Sequence, residues 1–128
     1  MIYQNYNIEA TNWSFLEKIK NSGKIPHALL FHGYEGVGKE STAIEFAAYL
    51  NCLKPQNKFA CRNCSSCNKI ISNNHEYIDY IFPLPKGKIT SKKDDISKSF
   101  TEKTLTEYNY ELKQKLNNPF HEITINGA

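Results

Sequence analysis

The chain's only cysteines, Cys52, Cys61, Cys64 and Cys67, lie close together with the spacing C-x8-C-x2-C-x2-C. Thiolates in this number suit one tetrahedral zinc ion, which takes four sulfur ligands at about 2.3 Å in structural sites. The knuckles Cys61-x2-Cys64 and Cys64-x2-Cys67 overlap, and Cys52 completes the set. The alternatives are free buried cysteines, a redox pair, or an iron–sulfur cluster, which four thiolates also suit. Zinc fits the overlapping knuckles best, and four protein ligands leave no open position, so its role is structural. Lys54, Lys58, Arg62 and Lys69 flank the cysteines in sequence and are expected to offset part of the thiolate charge.

A second motif precedes the cysteines: Gly33-Tyr-Glu-Gly-Val-Gly-Lys39. A phosphate-binding loop needs glycines so that backbone N–H groups converge on an anion. It also needs a lysine for the β and γ phosphates, and an adjacent hydroxyl for magnesium. Gly33, Gly36, Gly38 and Lys39 meet the first two needs. Position 40 is Glu where Ser or Thr should stand. Ser41 is one residue further, about 100° around the helix, and cannot replace it. A carboxylate beside polyphosphate adds repulsion of about 1 kcal/mol or more. The loop therefore reads as degenerate: a weakened ATP site, or a glycine-rich turn that holds no nucleotide. No acidic pair for magnesium and water follows an apolar strand, because Asp79 sits among apolar and aromatic residues and Asp94-Asp95 in a lysine-rich stretch.

These motifs need elements to position them. Trp13, Leu16 and Ile19 recur at helical spacing, with Ser14 and Glu17 as a capping box and Asn21-Ser-Gly23 as the end. His27–His32 is a short apolar run between Pro26 and Gly33 and reads as a buried strand. Lys39 to about Leu53 reads as a largely buried helix, with Ala43, Ala47 and Leu50 in one stripe. Residues 54–74 have loop composition. His75 reads as a local hydrogen-bonding residue. Tyr77–Phe82 reads as a second strand, stopped by Pro83. Residues 84–103 are lysine-rich and read as a solvated insertion, with nonspecific phosphate contact as the functional alternative. A third helix starts at Thr104, with Thr104 and Glu107 as its cap and Leu105, Tyr108, Leu112 and Leu116 on one face. Asn117-Asn118-Pro119 ends it.

The 128 residues make about one domain, with 40% hydrophobic content. No apolar run approaches the ~20 residues of a membrane helix. The N-terminus has no secretory pattern, and without one, Cys-x-x-Cys pairs favour metal over disulfides. The chain reads as cytoplasmic. Its net charge is +3, and Arg62, the sole arginine, is poorly placed to act as an arginine finger.

The stretch Ile25–Lys39, the helix and cysteine cluster after it, and Asn74-His75 with Ile81-Phe82-Pro83 together resemble the N-terminal part of bacterial DNA polymerase III clamp-loader subunits. The resemblance covers about residues 12–83. It implies an α/β fold: a partial AAA+ P-loop domain with parallel strands and flanking helices, carrying an inserted four-cysteine zinc module at about 52–75. The family's second acidic strand, sensor residues, arginine finger and collar domain have no counterpart in residues 1–128. His75-Glu76-Tyr77 also departs from the family's His-Pro-Asp. Glu40 points to the delta prime branch, a noncatalytic subunit that helps load the sliding clamp during replication, and Asn118-Pro119-Phe120 adds to that likeness. The alternative is an ATP-hydrolysing gamma/tau subunit. Implied partners are the gamma/tau and delta subunits and, through the complex, the sliding clamp and primer-template DNA, with no membrane. Zinc is the implied cofactor, with ATP doubtful.

Overall fold

The computed structural model describes residues 1–4, 6–82 and 102–121. They fall into two compact units, Met1–Asp79 and the residues from Tyr80 onward.

The first unit is built around one helix. α1 spans Ala10–Ser22, α2 Lys39–Asn51 and α3 Ser65–Ile71. α2 lies between two apolar clusters. On one side Phe46 and Tyr49 join Trp13 and Leu16 of α1. Trp13 stacks on Phe59 at 4.7 Å between centroids and meets Phe46 edge-on at 6.4 Å. On the other side Ala48 joins Ile2, Ala60, Cys67 and Ile70, and the other three cysteines pack against this group.

The start of α1 differs from the expected capping box, and its end at Gly23 is as expected. The helix begins a turn earlier, where the Glu9 carboxylate accepts the Asn12 N–H at 3.2 Å, and Ser14 and Glu17 lie inside it. A carboxylate at this position also suits the positive end of the helix dipole. Gly23 ends α1 at φ 67°, a left-handed cap that glycine adopts without a Cβ penalty.

The stripe expected on α2 is displaced. Its fully buried positions are Ser41, Glu45 and Ala48, while Ala43, Ala47 and Leu50 are only half-buried. Hydrophobic periodicity cannot see this face, because two of its three residues are polar. The buried Glu45 carboxylate accepts the Tyr3 backbone N–H of the N-terminal segment.

The two expected strands are not formed. Among the described residues the only β pairing is an isolated bridge, Gln56 to Phe59. His27–His32 carries no regular element, and Leu30 is 87% exposed. Tyr77–Phe82 is equally irregular, with Ile81 93% exposed. A strand exists only through its ladder to a neighbour, and neither segment has one among the described residues. The parallel sheet expected from the sequence is therefore absent there.

The segment read as loop holds two ordered features. Asn57 (φ 48°) and Lys58 (φ 68°) form a tight turn, closed by reciprocal Gln56–Phe59 hydrogen bonds of 2.9 Å. Two consecutive positive φ values are the signature of a type I′ turn. α3 follows, too short for its period to stand out in the sequence.

In the second unit, α4 spans Glu102–Asn117. It begins before Thr104, so Thr104 and Glu107 lie inside the helix and do not cap it. Tyr108 is buried, Leu112 and Leu116 are half-buried, and Leu105 is exposed. The Lys115 ammonium donates to the Pro119 carbonyl at 2.7 Å just beyond the helix end. His121 Nε2 meets Glu111 at 2.7 Å. Most of the lysine-rich stretch, residues 84–101, lies outside the described residues.

Candidate functional site

The four cysteines converge from three local structures. Cys52 is the C-cap of α2, with extended backbone at φ −68°, ψ 130°. Cys61 follows the tight turn at 57–58. Cys64 is the N-cap of α3, and Cys67 lies within that helix. All four are free thiols, and their sulfur atoms lie within 4.8 Å of one another. Cys52 to Cys64 and Cys61 to Cys67 are each 4.0 Å. Sulfurs about 2.3 Å from one tetrahedral ion stand about 3.8 Å apart, so the set fits a single zinc with little adjustment. A multi-iron cluster places several metal ions and sulfides between its thiolates and would push them further apart.

Backbone donors already favour thiolate here. Cys61 N–H points at Cys52 Sγ (3.2 Å), Cys64 N–H at Cys61 Sγ (3.3 Å) and Cys67 N–H at Cys64 Sγ (3.4 Å). The Asn63 N–H first, with that of Cys64, lowers the Cys61 thiol below its ordinary value. Burial works against ionisation at Cys64, but N–H groups of Cys67 and Leu53 and the neighbouring thiols hold it down to about 6. Burial and the adjacent Cys64 push Cys67 up to about 12. A cation at the centre would reverse that, since a coordinated thiol is deprotonated outright. Arg62, between two of the cysteines, takes a left-handed φ of 66°.

The surrounding charges are arranged differently from the sequence expectation. Lys58 pairs with Glu17 at 3.3 Å, and Lys69 pairs with Glu76. Both ammonium groups thus have carboxylate partners. The Arg62 Nη1 is buried without a hydrogen-bond partner among the described residues, and its charge acts on Glu45. His75 behaves as a local hydrogen-bonding residue: Nδ1 accepts the Tyr77 N–H at 3.2 Å, so Nε2 carries the proton towards Ser66 Oγ at 2.9 Å.

The glycine loop lies at the other end of α2. Gly36 (φ 73°) and Gly38 (φ 83°) are left-handed, and Gly38 is the N-cap of the helix. The Lys39 ammonium folds back and donates to the carbonyls of Gly33 and Tyr34, both at 2.8 Å. Glu40 is exposed in the first turn, whereas Ser41 is fully buried with its hydroxyl unpartnered among the described residues. Neither supplies a hydroxyl on the outer face of the loop. Beside it is a cavity of about 460 Å3, with Tyr6, Ile8, Leu29, His32, Lys39 and Thr42 among its walls. Asp79, considered above as a catalytic acid, is exposed.

The family model described as DNA polymerase III, delta subunit, matches residues 8–117. The chain belongs to this family. The delta subunit family match takes in the glycine loop, all four cysteines and α4. Relatives include the DNA polymerase III subunit delta' of Bacillus subtilis, 30% identical over 80 residues, covering 59% of this chain and 24% of that protein. The delta' subunit of Yersinia pestis is 31% identical over 68 residues, covering 53% of this chain and 20% of that protein. The gamma subunit of Buchnera aphidicola is 34% identical over 105 residues, covering 70% of this chain and 28% of that protein. The chain thus spans about a quarter of the length of these relatives. No solved structure matches it.

Three residues of this delta-family site escaped the sequence reading. Tyr6 and Thr42 meet at the shoulder of the glycine loop, and their hydroxyls stand 2.7 Å apart. Nothing in the sequence near Tyr6 marks it, since residues 1–10 show no period. Glu45 had one available sign, a charge on an otherwise apolar helix one turn after Ser41. No helix among the described residues is long and apolar enough to cross a membrane.

Proposed function

We propose that this chain is the N-terminal part of a noncatalytic clamp-loader subunit of the delta prime kind, acting in the cytoplasm by assembly with gamma/tau and delta subunits. Through that complex it would help place the sliding clamp on primer-template DNA. The observation that carries the reading is the loop: Lys39 is engaged by two of the loop's own carbonyls, and the residue after it is an exposed carboxylate instead of a hydroxyl. A magnesium ion would find no hydroxyl at that position, and ATP hydrolysis needs one to seat the metal. In this reading residues 33–39 are a vestigial nucleotide site on a partial AAA+ domain.

Cys52, Cys61, Cys64 and Cys67 would hold the zinc. The ion would supply a covalent-strength crosslink between the end of α2, the 57–58 turn and α3, and with four sulfur ligands it would do no catalysis. The lysines of 84–103 supply charge for a DNA backbone contact within the assembly.

The competing reading is an ATP-hydrolysing gamma/tau subunit. The Buchnera gamma match favours it, because it covers more of this chain than either delta' match does. ATP turnover by the chain separates them, and its retention on immobilised gamma/tau subunit tests both. The noncatalytic reading expects no turnover above a Lys39→Ala control, together with retention. Lys39-dependent, magnesium-dependent turnover would establish the ATPase, and absence of retention would remove both readings.

A further inference from the structure

We propose that Tyr6 is a built-in occupant of the glycine loop, holding it closed to nucleoside triphosphates; this rests on the reading of residues 33–39 as the remnant of a nucleotide site. The Tyr6 hydroxyl donates to the Gly38 carbonyl at 2.8 Å and stands 2.7 Å from Thr42 Oγ1, which itself donates to the same carbonyl at 2.8 Å. The phenol end of Tyr6 lies against Gly38, so that a Cβ built there would strike the Tyr6 hydroxyl, Cζ and Cε2. A glycine before the lysine of a phosphate loop leaves room for close approach to the backbone. In this chain an aromatic side chain takes that room.

Three further observations fit this role. Tyr6 lines the 460 Å3 cavity together with Lys39 and Thr42, while Gly38 is buried and is not among its walls. A cavity of that size is large enough for a small ligand. Lys39 spends two of its three ammonium donors on Gly33 and Tyr34, which leaves one for a triphosphate. Finally, the segment carrying Tyr6 is tied down elsewhere: Tyr3 N–H donates to Glu45, and the Met1 nitrogen donates to the Ala60 carbonyl at 2.8 Å.

The test is equilibrium binding of magnesium ATP to the full chain by titration calorimetry, with wild type, Tyr6→Ala, Tyr6→Phe and Tyr6→Ala/Lys39→Ala. Tyr6→Ala is expected to bind ATP at least about ten-fold more tightly than wild type, with the gain lost in the double variant. Tyr6→Phe keeps the ring and loses the hydrogen bond to Gly38, and a shift of about 2- to 10-fold towards tighter binding is expected. That variant preserves the packing, so it decides the matter even if Tyr6→Ala does not fold. Equal or weaker binding by the variants would overturn the proposal, and loss of binding would recast Tyr6 as a ligand contact. Failure here leaves the noncatalytic reading standing, because that reading falls only to Lys39-dependent turnover or lack of assembly.

Discussion

The Tyr6 ring and the Gly38 α-carbon are in direct contact, and the contact leaves no space for a side chain at position 38. Gly38 is also left-handed at φ 83°. Gly38→Ala should therefore be destabilising for two separable reasons. The backbone strain alone is worth about 1–3 kcal/mol, and the clash with Tyr6 adds to it. In a double-mutant cycle the Gly38→Ala cost should fall when Tyr6 is already alanine, with a coupling of about 0.5–3 kcal/mol by urea unfolding. Strict additivity would mean that the two residues do not meet in solution.

If the four cysteines hold the proposed zinc, removing it should loosen the cysteine-bearing half of the first unit. Zinc present at about 1,000-fold over its dissociation constant contributes about 4 kcal/mol to stability. A strong chelator, or Cys64→Ser, should therefore lower the unfolding midpoint clearly and bring the zinc content to zero. Trp13 offers a convenient readout, because it is the only tryptophan and its Nε1 donates to the Lys58 carbonyl at 3.0 Å, beside the cysteine loop. Its emission should shift to the red as the metal leaves. Unchanged emission and an unchanged midpoint would show that the thiols carry no structural ion.

Trp13 itself should rank among the costliest core positions. It stacks on Phe59, meets Phe46 edge-on and packs against Tyr49. Trp13→Ala should cost about 3–5 kcal/mol. Trp13→Phe keeps most of the ring contact but strands the Lys58 carbonyl, for about 1 kcal/mol. Urea midpoints of the two variants measure the difference directly.

Glu45 should make stability depend on pH in an unusual direction for a carboxylate. Burial raises its pKa in the folded chain, and the N–H groups of Tyr3 and Ile2, the Met1 nitrogen and Arg62 only partly counter this. The folded state then binds more protons than the unfolded state between the ordinary glutamate value near 4.5 and the raised one. Stability contributed by this group is thus greatest at low pH and falls as pH rises through that window, flattening above the folded value. Comparing wild type with Glu45→Gln in unfolding titrations from pH 4 upward should show wild type losing ground steadily to the variant. A parallel course, or wild type gaining, would contradict the direction assigned.

The sequence made the helices and the cysteine cluster legible for a shared reason. Trp13, Leu16 and Ile19 repeat at the helical period, and Cys61, Cys64 and Cys67 repeat within one or two turns, so local spacing alone brings them together. The segments His27–His32 and Tyr77–Phe82 read as strands because an apolar run describes a side-chain surface, while a strand needs a neighbour supplied from elsewhere. Glu45 and Ser41 were missed because burial of polar groups depends on what packs over them. For Glu45 that cover includes Ile2 and Tyr3, which show no pattern of their own. Tyr6 escaped for the same reason: its contact with Gly38 joins positions far apart in the chain.

α2 begins at Lys39 and its C-cap is Cys52. At about 1.5 Å per residue, a helix of this length is a stiff rod about 20 Å long. The glycine loop and the four cysteines are thus at opposite ends of a single rod, with no hinge between them. A displacement of one end of the rod is therefore carried to the other.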